Sequence, residues 1–158
     1  MRIALHAVGR LKAGPERALL DDYLSRAGRT ARPLGVRDVD EVQTDAGKTP
    51  QDDWAKQSAK LPQGARLIRF DEDGKALSSA AFAKLIENAR DTGVSDLCFL
   101  IGGADGFVAE ARNAAPEALS FGKMSWPHML ARVMAAEQIY RALSILSGSP
   151  YHREGKVD

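Results

Sequence analysis

The amino-acid sequence predicts an α/β fold in which a mostly parallel sheet is flanked by helices. Apolar runs typical of buried strands alternate with segments whose apolar residues recur every three or four positions. The strongest strand signal, residues 96–101, is apolar at almost every position, as expected for a parallel strand covered by helices on both faces. No repeat, low-complexity stretch or flexible linker divides the 158 residues, so we expect a single domain over 1–158.

Four elements are predicted in the first half of the chain, from apolar periodicity and from the residues that bound them. Proline marks the start of both helices, because its fixed φ suits the first turn and no N–H is needed there. Thr49 supplies an N-cap ahead of Pro50, with an acid at Asp52. In order, they are a strand at 3–8, a helix from Pro15 to Gly28, a strand at 34–39 and a helix from Pro50 to Leu61.

Six further elements are predicted in the second half. Serine hydroxyls are expected to cap two helices, Ser78 or Ser79 the first and Ser125 the last, because they can accept from free backbone N–H groups. Gly148 and Pro150 should end the last helix. In order, the elements are a strand at 66–70 followed by a DEDG turn, a helix ending at Gly93, the strand at 96–101, a short helix at 108–115, a strand at 118–124 and a helix at 127–147.

Composition excludes several classes of protein. The longest apolar run has five residues, so we expect no membrane-spanning segment and no secretory signal. One cysteine, Cys98, and three histidines supply neither a disulfide nor a zinc framework, so we expect no metal and a reducing cytoplasm. The net charge of +1 argues against broad, non-specific nucleic-acid binding. Residues 1–37 nevertheless carry a net charge of +5, which could form a phosphate-contacting patch or only a solvated face.

A glycine-rich turn follows the strongest strand. Ligands of open α/β sheets bind beyond the carboxyl ends of strands, which makes Gly102 and Gly103 candidates. The spacing matches neither the dinucleotide-binding GxGxxG pattern nor a P-loop. These glycines either allow a ligand to approach the backbone closely or serve only the geometry of the turn.

Two polar segments nearer the C terminus are further candidates. His128 falls in the first turn of the last helix, whose positive end favours a neutral imidazole, so it is either a hydrogen-bonding or basic group or a structural histidine. Tyr151, His152 and Arg153 follow a glycine-proline break. Such a tail could stack on a base and hold a phosphate, or it could be a frayed chain end.

Five segments together resemble the RlmH family of bacterial ribosomal RNA methyltransferases, which belong to the SPOUT class. They are AVGRLK, FDEDGK, FLIGGADGF, SFGKMSWPHMLARVMAAEQIYRALSI and GSPYHR, and they span the chain from end to end. The order and spacing of IGG, PH, EQIYRA and PYHR make the match more specific than any one motif.

The resemblance implies a fold and an activity. It implies a C-terminal deep trefoil knot, which apolar periodicity could not predict. It further implies transfer of the methyl group of S-adenosylmethionine to N3 of a pseudouridine in a stem-loop of 23S rRNA, by a cytoplasmic homodimer acting on assembled ribosomes. The cofactor-binding residues it implies are Phe70, Gly102, Gly103, Ser120, Phe121, Gly122, Lys123, Met124 and Ser125.

The remaining site residues follow as hypotheses from this resemblance. Tyr151 or His152 would position or deprotonate the uracil-like ring, and Arg153 would stabilise its developing oxyanion or hold a phosphate. In a dimer, this tail could serve the partner's pocket. Arg10, Lys12 and His128 are expected to contact the substrate. For the proton-handling role His128 is a weaker candidate than the tail residues, and it is assigned rather to holding its loop.

This chain departs from the family pattern at two places. Relatives usually have a Leu-Ser pair and a threonine where this sequence has Phe121, Gly122 and Ser125, and many end near the residue that matches Arg153. The extension EGKVD could modulate how the tail docks. Two alternatives stay open: a knotted methyltransferase acting on transfer RNA or on another ribosomal nucleoside, and a regulatory nucleotide-binding module without turnover.

Overall fold

The structure, a computed structural model, describes residues 1–153, so the extension EGKVD lies outside the described residues. The described chain alternates strands and helices, as the sequence predicts. A 3-10 turn at Arg32–Leu34 precedes the second strand. The elements are β1 (Arg2–Val8), α1 (Pro15–Ala31), β2 (Asp38–Thr44), α2 (Pro50–Ser58), β3 (Arg66–Lys75), α3 (Ser79–Asp91), β4 (Asp96–Ile101), α4 (Ala109–Ala114), β5 (Glu117–Leu119) and α5 (His128–Ser147).

The five strands form one parallel sheet in the order β2-β1-β4-β3-β5. On one face of its centre, helices α1, α3 and α5 cover Leu5 and Phe99, both of which are fully buried. On the other face, Trp54 of α2 and Ala111 of α4 cover Cys98. Burial on both faces explains why β4 is apolar throughout, and it confirms the predicted α/β class.

Two predicted helix ends are wrong. Helix α2 ends at Ser58 rather than at Leu61, and residues 59–60 form a turn. Helix α1 continues through Gly28 to Ala31 and ends at the following 3-10 turn, where Gly35 adopts a positive φ of 78°. Ala27 and Ala31 are fully buried on either side of Gly28. Packing of this helical face therefore outweighs the low helix propensity of glycine.

The boundaries of three strands also differ from the prediction. Strand β2 runs from Asp38 to Thr44 rather than over 34–39, because Leu34 belongs to the 3-10 turn and pairing with β1 continues to Thr44. Strand β3 extends to Lys75, and the DEDG segment is a bulge within this strand, where the register with β5 shifts between Phe70 and Lys75, rather than a turn beyond its end. Strand β5 ends at Leu119, and residues 120–124 form a loop.

The helix caps follow the sequence in two cases out of three. The Thr49 hydroxyl accepts from the Asp52 backbone N–H at 3.1 Å, and the Ser78 hydroxyl accepts from the N–H of Ala81 at 3.1 Å. The predicted Ser125 cap is wrong, because α5 begins after Pro127 without a side-chain cap. Ser125 Oγ instead donates to a carboxylate oxygen of Glu72, at 3.3 Å.

Beside the loop that precedes α5, the end of β5 lies in the bulge of β3 between Phe70 and Lys75, a contact that we call the strand crossing. Leu119 pairs with both Phe70 and Lys75, so the intervening residues of β3 loop around the end of β5. The Ser120 N–H donates to the carbonyl of Lys75 at 2.9 Å. A Cβ atom on Gly74 would lie 2.5 Å from the backbone of Leu119, which only glycine permits.

Candidate functional site

A cavity of about 430 Å³ lies where the carboxyl ends of β3, β4 and β5 meet. Phe70 is in register with Ile101 on one side and with Leu119 on the other, which brings the three following loops together. This is the edge at which parallel sheets bind ligands. Of the expected cofactor-binding residues, the cavity wall contains Phe70, Gly102, Gly103, Ser120, Phe121, Gly122 and Met124.

The remaining expected cofactor residues lie outside this wall. Lys123 and Ser125 are exposed in the loop before α5 and do not line the cavity. Ser120 holds the loop itself. Its hydroxyl donates to the Gly122 carbonyl oxygen at 2.8 Å and accepts from the Gly122 backbone N–H at 3.1 Å. Gly122 has a φ of 104°, a conformation that favours glycine.

The glycine turn after β4 is packed tightly against the second helix layer. A Cβ atom on Gly103 would lie 2.5 Å from Asp53 Oδ2, and one on Gly102 would lie 3.3 Å from the ring of Phe107. Asp53 in turn accepts a 2.6 Å hydrogen bond from the N–H of Gly47. Close packing therefore already requires glycine here, in addition to any approach of a ligand.

A second cavity, of about 670 Å³, adjoins the first. The rings of Phe70 and Phe121 stack at a centroid distance of 4.6 Å and line both cavities. Apolar side chains from α1 and α3 cover one side of the second cavity, and its polar end is formed by Glu137, Arg141 and Tyr151. Tyr151 of the C-terminal tail thus forms part of this wall.

Glu137 and Arg141 of α5 hold the tail. Arg141 donates to Glu137 Oε1 through Nε at 2.9 Å and through Nη2 at 2.6 Å, and the Tyr151 hydroxyl donates to the same oxygen at 3.0 Å. Arg141 Nη1 lies 3.2 Å from His152 Nδ1. Burial and the Glu137 carboxylate raise the pKa of Tyr151, so this phenol stays protonated.

Arg153 and His128, two other predicted site residues, lie apart from this cluster. Arg153 is exposed after the last tail contact. His128 begins α5 and lines the first cavity. Partial desolvation of the ring, followed by the charge of Arg132, lowers its pKa. This is also the direction expected of a histidine in the first turn of a helix.

The basic N-terminal patch is largely neutralised by nearby acids. Lys12 is exposed and forms no ion pair within residues 1–153. Most other cations of residues 1–37 meet carboxylates that come later in the chain, so the net charge of +5 overstates the free positive charge. The pairs are Arg2–Asp40 at 3.1 Å, Arg10–Asp45 at 2.7 Å, Arg17–Glu41 at 2.7 Å and Arg37–Asp38 at 3.0 Å.

The turn at residues 9–12 is anchored to α5 by a buried arginine. Arg132 is 1% exposed and donates to the carbonyl oxygens of Val8 at 3.0 Å and Gly9 at 2.9 Å. Gln43 Oε1 accepts from Arg132 at 3.3 Å and from a backbone N–H of the turn at 2.8 Å. The position of Arg10 and Lys12 is thereby tied to the helix that begins at the first cavity.

The sequence motifs indicate no role for Glu137, Arg141 or Arg132, although all three lie in the segment that carries the resemblance. The one available signal is the i, i+4 spacing of Glu137 and Arg141, which is typical of a helical ion pair. Residues 1–153 contain no group of three or more His, Cys, Asp or Glu side chains that could hold a metal ion. No helix in that range is long and apolar enough to cross a membrane.

Comparison with known proteins gives consistent matches over almost the whole chain. The sequence profile described as "Predicted SPOUT methyltransferase" matches residues 1–152. A protein of Hyphomonas neptunium named "Ribosomal RNA large subunit methyltransferase H" is 50% identical over 153 residues, covering 97% of this chain and 99% of that protein. The protein of the same name from Dinoroseobacter shibae is 50% identical over 157 residues, with the same coverage. Among solved structures, a probable methylase family protein from Haemophilus influenzae aligns over 99% of this chain and 71% of its own, with 10% identity and a TM-score of 0.49.

Proposed function

Because this chain belongs to the SPOUT methyltransferase family and matches ribosomal RNA large subunit methyltransferases over nearly its full length, we propose that it methylates N3 of a pseudouridine in a 23S rRNA stem-loop. The methyl donor is S-adenosylmethionine and the substrate is the assembled ribosome. The observation that carries this proposal is the 50% identity over 97% of the chain.

The first cavity fits S-adenosylmethionine in size and chemistry. Its volume of about 430 Å³ lies within the usual range of small-molecule sites. Phe70, Phe121 and Met124 supply apolar surfaces for the adenine faces, and Met124 is 76% exposed, which leaves it free to cover a ligand. The backbone of Gly102 and Gly103 would contact the polar edges.

Methyl transfer to N3 requires a positioned ring and the loss of one proton. When bound, S-adenosylmethionine would supply an electrophilic methyl group, which would bond to the electron pair of N3 while the carbon–sulfur electron pair stays on sulfur. The protein's own task is to hold N3 in line with that carbon, which by itself can lower the barrier greatly. The N3 proton leaves to solvent, and the charge that develops on the ring oxygens needs hydrogen-bond donors.

The tail residues are suited to different parts of this task. The Tyr151 hydroxyl donates a hydrogen bond to Glu137, and the pKa of Tyr151 is raised. Both observations support a positioning role rather than that of a base. Arg153 is exposed and can reach a phosphate of the rRNA. Lys12, which is exposed, and Arg10 would contact the rRNA from the anchored turn.

We further propose a C-terminal trefoil knot. The support is the crossing described above, in which Leu119 and Ser120 pass between the two arms of the segment from Phe70 to Lys75. The knot is tested with a form of the protein in which the N and C termini are covalently joined after folding. If knotted, the closed chain will migrate faster under denaturing conditions than an unknotted circle of equal length. Equal migration would contradict the knot.

The activity is tested by incubating the protein with labelled S-adenosylmethionine and, in parallel, assembled ribosomes, free 23S rRNA and bulk transfer RNA that lack the modification. Nucleoside mass analysis then identifies the product. We expect label in methylpseudouridine from ribosomes alone. Label in transfer RNA would favour the alternative substrate, and tight cofactor binding without transfer would favour the regulatory module.

A further inference from the structure

The contact between Arg141 and His152 fixes which ring nitrogen of the histidine carries its proton. Arg141 Nη1 lies 3.2 Å from His152 Nδ1. A guanidinium group has only donors and stays protonated in proteins. His152 Nδ1 must therefore accept this hydrogen bond, which leaves the proton of the neutral ring on Nε2. Nε2 is then a hydrogen-bond donor and has no free electron pair with which to take a proton.

From this geometry we propose that Arg141 is a positioning residue that holds His152 as the Nε2–H tautomer, so that His152 donates a hydrogen bond to the target ring instead of removing its N3 proton. This inference rests on the proposed methylation of a pseudouridine. It selects one of the two roles that sequence analysis left open for the tail histidine.

The position of the guanidinium is set by its surroundings. Two hydrogen bonds to one oxygen of Glu137, of 2.9 Å and 2.6 Å, hold its plane. The guanidinium carbon also lies 4.9 Å from the centre of the Tyr151 ring, within cation–π range. Gln138 Nε2 donates to the second carboxylate oxygen of Glu137, at 2.9 Å, which fixes the carboxylate in turn. Arg141 is therefore a preorganised donor rather than a mobile surface cation.

In the reaction, the N3 proton passes to solvent water before the methyl group is transferred, and the resulting negative charge spreads over the two ring oxygens. A neutral Nε2–H donor can stabilise one of these oxygens without itself losing a proton. No base from the tail is required in this sequence of steps.

Nitrogen NMR of protein labelled with ¹⁵N-histidine reads the tautomer directly and does not depend on activity. His152→Gln assigns the resonances of residue 152. We expect the Nε2–H tautomer of His152 in the wild type at neutral pH. Arg141→Met should shift the ring toward a mixture of tautomers, and Arg141→Lys, which retains a donor, should restore part of the original population. A predominant Nδ1–H or doubly protonated ring in the wild type would overturn the proposal.

Activity variants test the catalytic consequence on assembled ribosomes. The side-chain amide of glutamine reproduces the Nε2–H donor of histidine but cannot take a proton at neutral pH. We expect His152→Gln to keep kcat within about tenfold of wild type and His152→Ala to lose about 100-fold or more, as for removal of other oxyanion donors. Equal losses in the two variants, with unchanged cofactor affinity, would assign the histidine to proton removal and overturn our inference. A wild type that binds the cofactor but methylates no rRNA would overturn the proposed function instead, and the NMR result would still decide the tautomer.

Discussion

His6 is a buried histidine that burial keeps neutral. It lies in β1, is 1% exposed, and its Nδ1 atom has no hydrogen-bond partner within residues 1–153. Burial, with smaller contributions from the charges of Arg2 and Lys60, lowers its pKa to about 4. Below the ordinary pKa near 6.5, the unfolded chain binds a proton that the folded chain does not, so stability falls as the pH falls from about 6.5 towards 4.

This linkage gives a prediction for acid stability. We expect the contribution of His6 to lower the free energy of unfolding by about 2 kcal/mol between pH 7.5 and pH 5. Urea unfolding of the wild type and of His6→Leu at both pH values measures it. The pH dependence of the variant should be smaller by that amount. Parallel pH curves for the two proteins would show that His6 does not contribute.

Gly74 and Gly28 form a matched pair of glycines with opposite surroundings. A Cβ atom on Gly74 would lie 2.5 Å from the Leu119 backbone, which cannot move without separating β3 from β5. At Gly28, within α1, nothing lies within 4 Å of the added atom and φ is not positive.

We therefore expect the two alanine substitutions to change stability in opposite directions. Gly28→Ala should raise the free energy of unfolding by about 1 kcal/mol, the usual difference in helix propensity. Gly74→Ala should lower it by about 3 kcal/mol or prevent folding, as overpacking does. Chemical denaturation compares them. A neutral Gly74→Ala would mean that the strand crossing is looser than the structure indicates.

At the scale of elements, the sequence predicts most closely those segments whose own residues determine them. The buried strand β4 and the helix caps of α2 and α3 are right because apolar continuity and hydroxyl caps are local signals. Strand β2 is misplaced because an edge strand is largely polar, and its position depends on pairing with β1. The bulge at the DEDG segment likewise depends on pairing between β3 and β5, which lie about 50 residues apart in the chain.

Some parts of the functional site can likewise be predicted from local sequence, and others cannot. The glycine turn could be found because glycine after a buried strand is a local signal at a known ligand-binding edge. The tail contacts could not be found, because they depend on a reversal of the chain after α5. Gly148 adopts a φ of 73° there, and the tail returns along the helix to reach Glu137 and Arg141. Neither residue carries a pattern that distinguishes it from an ordinary surface ion pair.

The anchored turn at residues 9–12 gives a prediction about substrate binding. Gln43→Met removes the acceptor for both Arg132 and the turn N–H, while Gln43→Glu retains it. Losing a hydrogen bond of about 1 kcal/mol should raise the KM for ribosomes about fivefold, because the turn that presents Lys12 becomes less ordered. Steady-state methylation kinetics measure the KM for ribosomes, and cofactor titration measures the affinity for the cofactor.

The Gln43→Glu protein is the control and should keep a KM near that of wild type, with unchanged cofactor affinity in both variants. Reversing the charges of Arg10 and Lys12 should lower ribosome methylation more strongly than either substitution. If charge reversal lowers methylation and Gln43→Met does not, the anchoring of the turn is unimportant for rRNA binding.

At the scale of the whole molecule, the distribution of charged and apolar surface favours recognition of a shaped partner. The net charge is +1, and half of the eight cations in residues 1–37 are paired with acids of the second strand and its neighbours. Such a surface gives little general affinity for RNA. Specificity would then depend on the fit to the folded ribosome, with Lys12 and the tail arginine, Arg153, supplying local contacts.

The apolar surface of the molecule bears on the expectation of a homodimer. Large apolar side chains are exposed around the start of α5: Met124 is 76% exposed, Trp126 and Met129 are each 44% exposed, and Leu130 is 41% exposed. Such a cluster within seven residues is typical of a surface that another protein covers. A second copy of this chain would cover it and would place the loop that precedes α5, beside the first cavity, at the interface.

Met129→Glu tests this arrangement, because an unpaired carboxylate at a buried interface opposes association. We expect the wild type to sediment as a dimer at micromolar concentration and the variant to have a dimer Kd at least about tenfold higher, equivalent to about 1.4 kcal/mol. Gln51→Glu adds the same charge at an exposed position of α2, a helix that covers the opposite face of the sheet. This variant should leave the Kd unchanged. A monomeric wild type would contradict the dimer. A dimer that tolerates Met129→Glu would place the interface elsewhere, and the exposed residues at the start of α5 would then be free to contact the ribosome.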